Sequence, residues 1–129
     1  MDKQYNFMKF EGRNTRTEDR ITITKSFSIG FPTRFYQDNA IRKYKYAVLF
    51  WDSNNKAIGV HFSNNEDEKS RFSILHSKKG YGGSVVARSF FRVNDIDPEA
   101  FHGRYTWDKK NIEGIGDIFI IELIAKKKI

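Results

Sequence analysis

The chain has 129 residues, no cysteine and a formal net charge of +7. The missing cysteine excludes a disulfide framework, thiolate catalysis, a thiolate zinc site and cysteine-ligated iron–sulfur clusters. The length fits one domain, or one domain built from two half-sized units, and 12 Phe, 6 Tyr and 2 Trp supply large rings to fill its core.

Residues 1–20 read as an N-terminal arm or edge strand. Tyr5, Phe7, Met8 and Phe10 alternate imperfectly, and the following EGRNTRTEDR is polar throughout. No basic region precedes an apolar stretch, so no signal peptide is expected and a cytoplasmic location is the default. Ile21 to Lys25 is β-branched and alternating, a strand. Extended structure continues to Phe31, with Phe27, Ile29 and Phe31 on one face. Pro32 suits a first helical position, and the helix it opens runs to about Ala40 with Phe35 and Tyr36 inward. Arg42 to Lys45 is a basic turn. Tyr46 to Trp51 and Ala57 to Phe62 form a hairpin around the turn residues Asp52 to Lys56. The first strand of that hairpin is apolar on both faces, which predicts burial on both sides.

Asn64 to Lys69 is charged and polar and divides the chain. Arg71 to Leu75 alternates as a strand, and Ser77 to Gly83 is a glycine-rich turn without a phosphate-loop pattern. Ser84 to Val86 is extended. Ala87 to Asp95 is a short helix with Phe90 and Phe91 inward. Asp97-Pro98-Glu99 caps a further turn. Arg104 to Trp107 is a strand, Asp108 to Asn111 a turn, and Ile115 to Ile124 a long apolar strand. That run holds Glu122 and is too short to span a bilayer as a helix, so no membrane partner is expected. Residues 125–129 form a basic tail.

The second half repeats the grammar of the first. Ile21 and Ile23 match Phe72 and Ile74 at an offset of 51. Phe31, Phe35, Tyr36, Asn39 and Ile41 match Val86, Phe90, Phe91, Asn94 and Ile96 at an offset of 55. Trp51-Asp52 and Asn55 match Trp107-Asp108 and Asn111 at 56, and Ile58-Gly59 matches Ile115-Gly116 at 57. The expected fold is therefore a single domain, mainly β with short helices. It is a β-barrel of two pseudo-repeated β-β-α-β-β units, residues 21–63 and 71–124. Closing them into one barrel buries both hairpins and removes sheet edges.

The stretch SFSIGFPTRFYQDNAI followed by YAVLFWDSNNKAIGVHF resembles the AbrB/MazE/SpoVT swapped-hairpin family. The matching positions are Ile29, Phe31, Pro32, Phe35, Ile41, Val48 and Phe50. Family members usually reach the barrel by pairing two short chains, so the resemblance implies a fused pseudo-dimer that can still oligomerise. It also implies DNA contacts from arginines on the first strand and the adjoining loop. Arg20, Lys25 and Arg34 lie near those positions.

No nucleophile motif is present, and His61, His76 and His102 show no metal-binding spacing. The expectation is a non-enzymatic protein without catalytic residues, metal or cofactor. Residues 1–64 hold 11 basic and 6 acidic side chains, residues 65–129 hold 12 and 10. The basic excess thus sits in the first half, where Arg13, Arg16, Arg20, Lys25 and Arg34 are the candidate nucleic-acid contacts. Arginine binds phosphate or reads guanine bidentately, and a plain solvated face is the competing reading. The expected function is a small DNA-binding regulator or antitoxin-like protein using a basic face. The alternative is a protein-binding or self-assembling module without nucleic acid, for which Tyr44, Tyr81 and Tyr105 are candidate surface aromatics. A small ligand in a cleft between the halves is the third option.

Overall fold

The structure, a computed structural model, describes residues 4–7 and 18–125. Arg13, Arg16 and the Lys126–Lys128 part of the basic tail lie outside the described residues, as does much of the expected N-terminal strand; residues 4–7 are not in a strand. The fold is mainly β with a few short helices, arranged as two antiparallel sheets.

The first sheet takes its strands from both halves. β1 (Ile21–Ile23) pairs with β2 (Ser28–Phe31), and β2 pairs with β7 (Gly83–Val86). β6 (Leu75–His76) and β8 (Gly103–Tyr105) form its two edges. In the second sheet, β3 (Tyr46–Asp52) and β4 (Ala57–Ser63) make the expected hairpin. β4 also pairs with β10 (Gly116–Glu122), and β5 (Phe72–Ser73) and β9 (Asp108–Ile112) are the edges. Three short helices, α1 (Thr33–Asp38), α2 (Arg88–Val93) and α3 (Pro98–Phe101), and a 3-10 turn at Ile41–Lys43 fill the connections.

Two segments pass from one sheet to the other. β5 and β6 are one run of chain interrupted only by Ile74, whose N–H donates to the Lys45 carbonyl at 2.9 Å. At the opposite edges only Thr106 and Trp107 separate β8 from β9. The single strand expected over Arg71 to Leu75 is thus two short ones, because the chain leaves one ladder for the other at Ile74. The expected turn over Asp108 to Asn111 is a strand. Its polar side chains are all exposed, as suits a sheet edge that must not recruit another strand. The ladders make up two sheets and do not by themselves show a closed barrel.

The core lies between the sheets. Alternation along each strand sends Ile21, Ile23, Ile29, Phe31 and Val85 inward from the first sheet. Ile58, Val60, Phe62, Phe119 and Ile121 meet them from the second. Phe35 of α1 is fully buried at the centre of a ring cluster, with centroids of Phe119 at 5.0 Å, Trp107 at 5.2 Å and Phe31 at 5.7 Å. Mostly edge-on packing of this kind adds to the area term, and truncating such a ring costs about 3–5 kcal/mol.

The two helix ends are built alike. Asn39 and Asn94 each follow their helix, and each donates Nδ2 to a carbonyl four residues back, Phe35 and Phe90, at 2.9 Å. The next residues, Ala40 and Asp95, take left-handed φ values of 51° and 54°. Ile41 and Ile96 are then buried. The resemblance ends at the second hairpins. Gly59 lies mid-strand opposite Ile120, whereas Gly116 sits at the mouth of the β9–β10 hairpin opposite Ile112. The Ile58-Gly59 and Ile115-Gly116 pairs therefore do not occupy equivalent places. Between helix and hairpin the second half carries α3 where the first has the 3-10 turn, and β8 pairs with β1 as the start of β3 pairs with β5.

Pro32 precedes α1 as its cap residue rather than opening the first turn. Asp97 caps α3 as expected, accepting from the Glu99 N–H at 3.0 Å with Pro98 opening the helix. Phe27 does not continue β2. It lies in the β1–β2 turn at φ 66°, where the chain reverses.

Candidate nucleic-acid interface

Register fixes where the cations stand. β2 and β7 are antiparallel, with Ser28 opposite Val86 and Phe31 opposite Gly83. The β1–β2 turn therefore lies at one end of the first sheet and the loop 77–82 before β7 lies at the other. Between them the outward face carries Thr22, Ser28, Gly30, Ser84 and the exposed Val86, with Leu75 and Arg104 beside them on the edge strands, since their neighbours Ile21, Ile23, Ile29, Phe31 and Val85 point inward. Short side chains occupy its middle, on β1 and β2. By strand rise the four-residue strands β2 and β7 set its two ends roughly 13 Å apart.

At one end stand Lys25, in the turn, and Arg88 and Arg92 on α2. The guanidinium carbons of Arg88 and Arg92 lie 5.1 Å and 5.5 Å from the Phe27 ring centre. Phe27 in turn meets Phe91 edge-on at 6.1 Å. Lys25 is 3.9 Å from Glu99. The turn is closed by Thr24 N–H donating to the Ser28 carbonyl at 3.0 Å, and the Ala87 N–H donates to the Phe27 carbonyl at 2.8 Å.

The other end carries Arg20, which by register lies opposite Pro32, and Arg34, two residues further on α1. Lys78 and Lys79 belong to the loop there. Arg42 lies over that loop, its Nη1 3.5 Å from where a Gly80 Cβ would stand. Thr33 Oγ1 donates to the Tyr81 carbonyl, and Gln37 Nε2 donates to the Gly80 carbonyl at 3.4 Å, so α1 holds the loop down.

The three described candidates do not form one patch. Arg20 and Arg34 share an end, and Lys25 stands at the opposite one. Each is also ion-paired within the chain. Arg20 meets Glu18 at 2.8 Å, Arg104 reaches the same carboxylate at 3.5 Å, and Arg34 meets Asp38 at 3.4 Å. The Arg20 hydrogen bond holds the Glu18 carboxyl below the usual range and raises Arg20 in return. The Arg34–Asp38 pair is exposed and contributes little, so a phosphate can exchange for that carboxylate at small cost, whereas Glu18 is only 18% exposed between its two arginines.

Arg42, Lys78, Lys79, Arg88 and Arg92 were missed in the sequence. Arg88 and Arg92 are four apart on a helix whose inward residues were legible, so their shared outward side was readable. Their position beside Phe27 was not, because it depends on β2 pairing with β7.

The histidines bind locally. His76 Nε2 donates to the Tyr44 carbonyl at 2.8 Å, which leaves Nδ1 to accept from the Tyr36 hydroxyl at 2.7 Å when the ring is neutral. His61 Nδ1 donates to the Asp117 carbonyl at 2.7 Å. Among the described residues no three His, Asp or Glu side chains come close enough to hold a metal ion. Tyr105 is buried, with its hydroxyl donating to the Phe101 carbonyl at 2.6 Å, whereas Tyr81 is exposed. An open cleft of about 630 Å³ lies between β8 and β10, lined by Arg20, His102, Arg104, Trp107 and Glu122 among others. Most of its lining comes from the second half rather than from the junction of the halves.

No family model matches the chain, and neither a curated protein nor a solved structure matches it. No helix among the described residues is long and apolar enough to cross a membrane.

Proposed function

We propose that this protein is a small, non-enzymatic DNA-binding regulator or antitoxin-like factor that holds the duplex backbone with cations at the two ends of its first sheet. The observation that carries the reading is the placement of Lys25, Arg88 and Arg92 at one end and Arg20, Arg34, Arg42, Lys78 and Lys79 at the other, across a face whose middle is Thr22, Ser28, Gly30 and Ser84 and whose flanks carry Val86, Leu75 and Arg104. Such spacing suits phosphates on either side of a groove. Arg13 and Arg16 extend the basic set in sequence. Two sheets bridged at both edges agree with an AbrB-like flattened barrel, and the similar helix ends agree with a duplicated unit.

The test is retention of a random duplex in a gel shift, repeated over a salt series. Three or four phosphate contacts give a slope of about −3 in log affinity against log salt. Changing Arg13, Arg16 and Arg20 together to Ala weakens binding and lowers that slope. Absence of retention of any duplex at low salt sinks the reading.

One observation favours the alternative, a protein-binding or self-assembling module. Phe50 and Ile120 stand half-buried on the outer face of the second sheet, beside Val48 and Ile118, which are buried on that same face outside the central core. Ile118 lies over Gly59, where an added Cβ would come within 2.4 Å of its Cδ1. A light-scattering mass above that of one chain, with no duplex bound, selects this reading.

A further inference from the structure

We propose that Arg88 and Arg92, carried on the Phe27 ring with Lys25 at the rim, form a phosphate-binding site. The ligand chemistry is a phosphate group. Its source is either a nucleic-acid backbone, in which case the proposal rests on the reading above, or a free phosphorylated small molecule.

Arg88 and Arg92 are four residues apart on α2, so like charges share one helix face and repel. Both guanidiniums nevertheless lean on one ring. Their carbons are no more than 10.6 Å apart, the sum of their distances to its centre. Each is exposed, and neither forms an ion pair among the described residues, in contrast to Arg20, Arg34 and Arg104. The carboxylates of the neighbouring segment are otherwise engaged: Glu99 faces Lys25 and Asp97 caps α3.

The ring that carries the two cations is itself unusual. Phe27 holds φ 66°, a conformation that a bulky side chain rarely takes. The Ala87–Phe27 hydrogen bond and the edge contact with Phe91 keep it there. The other helix shows what plain packing requires at the same positions. Thr33 and Gln37 stand 55 residues before Arg88 and Arg92, and they tie down their facing loop through its carbonyls. Arg88 and Arg92 make no such bond to the β1–β2 turn, which closes through its own backbone. Two planar donor forks oriented by an aromatic face and lacking a carboxylate are the groups that bind a tetrahedral oxyanion. Lys25 adds a third charge that need only leave a 3.9 Å contact with Glu99.

The experiment titrates sodium pyrophosphate into the full chain at constant ionic strength, followed by proton–nitrogen spectra of backbone amides and arginine side chains. Saturable shifts at Phe27, Arg88 and Arg92 are expected. Arg88→Gln and Arg92→Gln each weaken binding by at least about tenfold, the worth of one charged hydrogen bond. Lys110→Gln, on the exposed edge strand β9 of the other sheet, leaves it unchanged. The same spectra show whether a variant keeps its fold, and Arg88→Lys and Arg92→Lys, with the charge kept and the fork lost, replace any variant that does not; a loss of affinity in them also supports the site. No saturable shift by about 10 mM, or equal binding by the unaltered chain and the variants, overturns it. Pyrophosphate binding without duplex binding leaves the site standing and ends the nucleic-acid reading. Duplex binding that ignores both arginines, without pyrophosphate binding, does the reverse. Displacement of duplex by pyrophosphate assigns the site to backbone phosphates, and binding without displacement assigns it to a free phosphorylated ligand.

Discussion

Ala40 and Asp95 hold left-handed backbones at the ends of α1 and α2, where glycine commonly stands. The conformation costs an L residue about 1–2 kcal/mol because Cβ crowds the carbonyl oxygen. Ala40 is exposed, so nothing packs against the methyl group that a glycine would remove. Ala40→Gly is therefore expected to stabilise the protein by about 1 kcal/mol in urea unfolding. Asp95→Gly gains less, since a short polar side chain tolerates this region better. A loss of stability in Ala40→Gly would show that the backbone does not hold φ 51° in solution. Phe27 stores the same strain at a third position, and it does so under two guanidinium groups. Strain of that kind clusters at binding sites.

The short elements depend on one another rather than on intrinsic preference. Six-residue helices such as α1 and α2 are too short to persist alone. They are held by Phe35, Tyr36, Phe90 and Phe91, all buried. The loop before β7 shows how little freedom such contacts leave. Gly82 has φ 156°, and a Cβ there would lie 2.9 Å from the Phe31 carbonyl oxygen. That oxygen belongs to β2 and cannot retreat without disturbing its pairing with β7. Gly82→Ala should lower stability by about 2 kcal/mol. Unchanged urea midpoints would mean that the loop sits further from β2. Hairpin β3–β4, both helices and the Asp97 cap were legible in the sequence because their signals are local. The break at Ile74 and strand β9 were not. Both arise where the chain changes sheets: the break at Ile74 is set by a distant partner, Lys45, while β9 is a polar edge strand whose Asp and Asn look like turn residues until it pairs in its hairpin with β10. The candidate site divides the same way. Lys25, Arg20 and Arg34 stood out as charges, but their separation to two ends follows from cross-half register.

At the scale of the molecule, buried hydroxyls link the two sheets. Tyr105 belongs to β8 of the first sheet, and its hydroxyl lies 3.2 Å from the Ile124 carbonyl just past β10 of the second. Burial raises its pKa, and burial also raises that of Tyr36 against the opposing effect of Arg42. A raised folded-state pKa favours the neutral hydroxyl in the native protein. The stabilisation is complete below the unfolded value, about 10, and disappears as pH rises through the higher folded one. Thermal midpoints should therefore fall above about pH 10, with late tyrosinate absorbance accompanying the loss. Tyr105→Phe lowers the neutral midpoint and flattens that decline; an unaltered alkaline slope in this variant would assign the effect elsewhere. The two segments that change sheets have a consequence for how the chain comes into being. Ile21 cannot meet Tyr105, nor Val60 meet Phe119, until the ribosome has added those later strands. At about 5–20 residues per second, the first hairpin waits several seconds with unpaired strands on either side. A nascent chain of this design is thus most open to chaperones, proteases and sister chains on the same message after β4 has emerged and before β8 and β10 have.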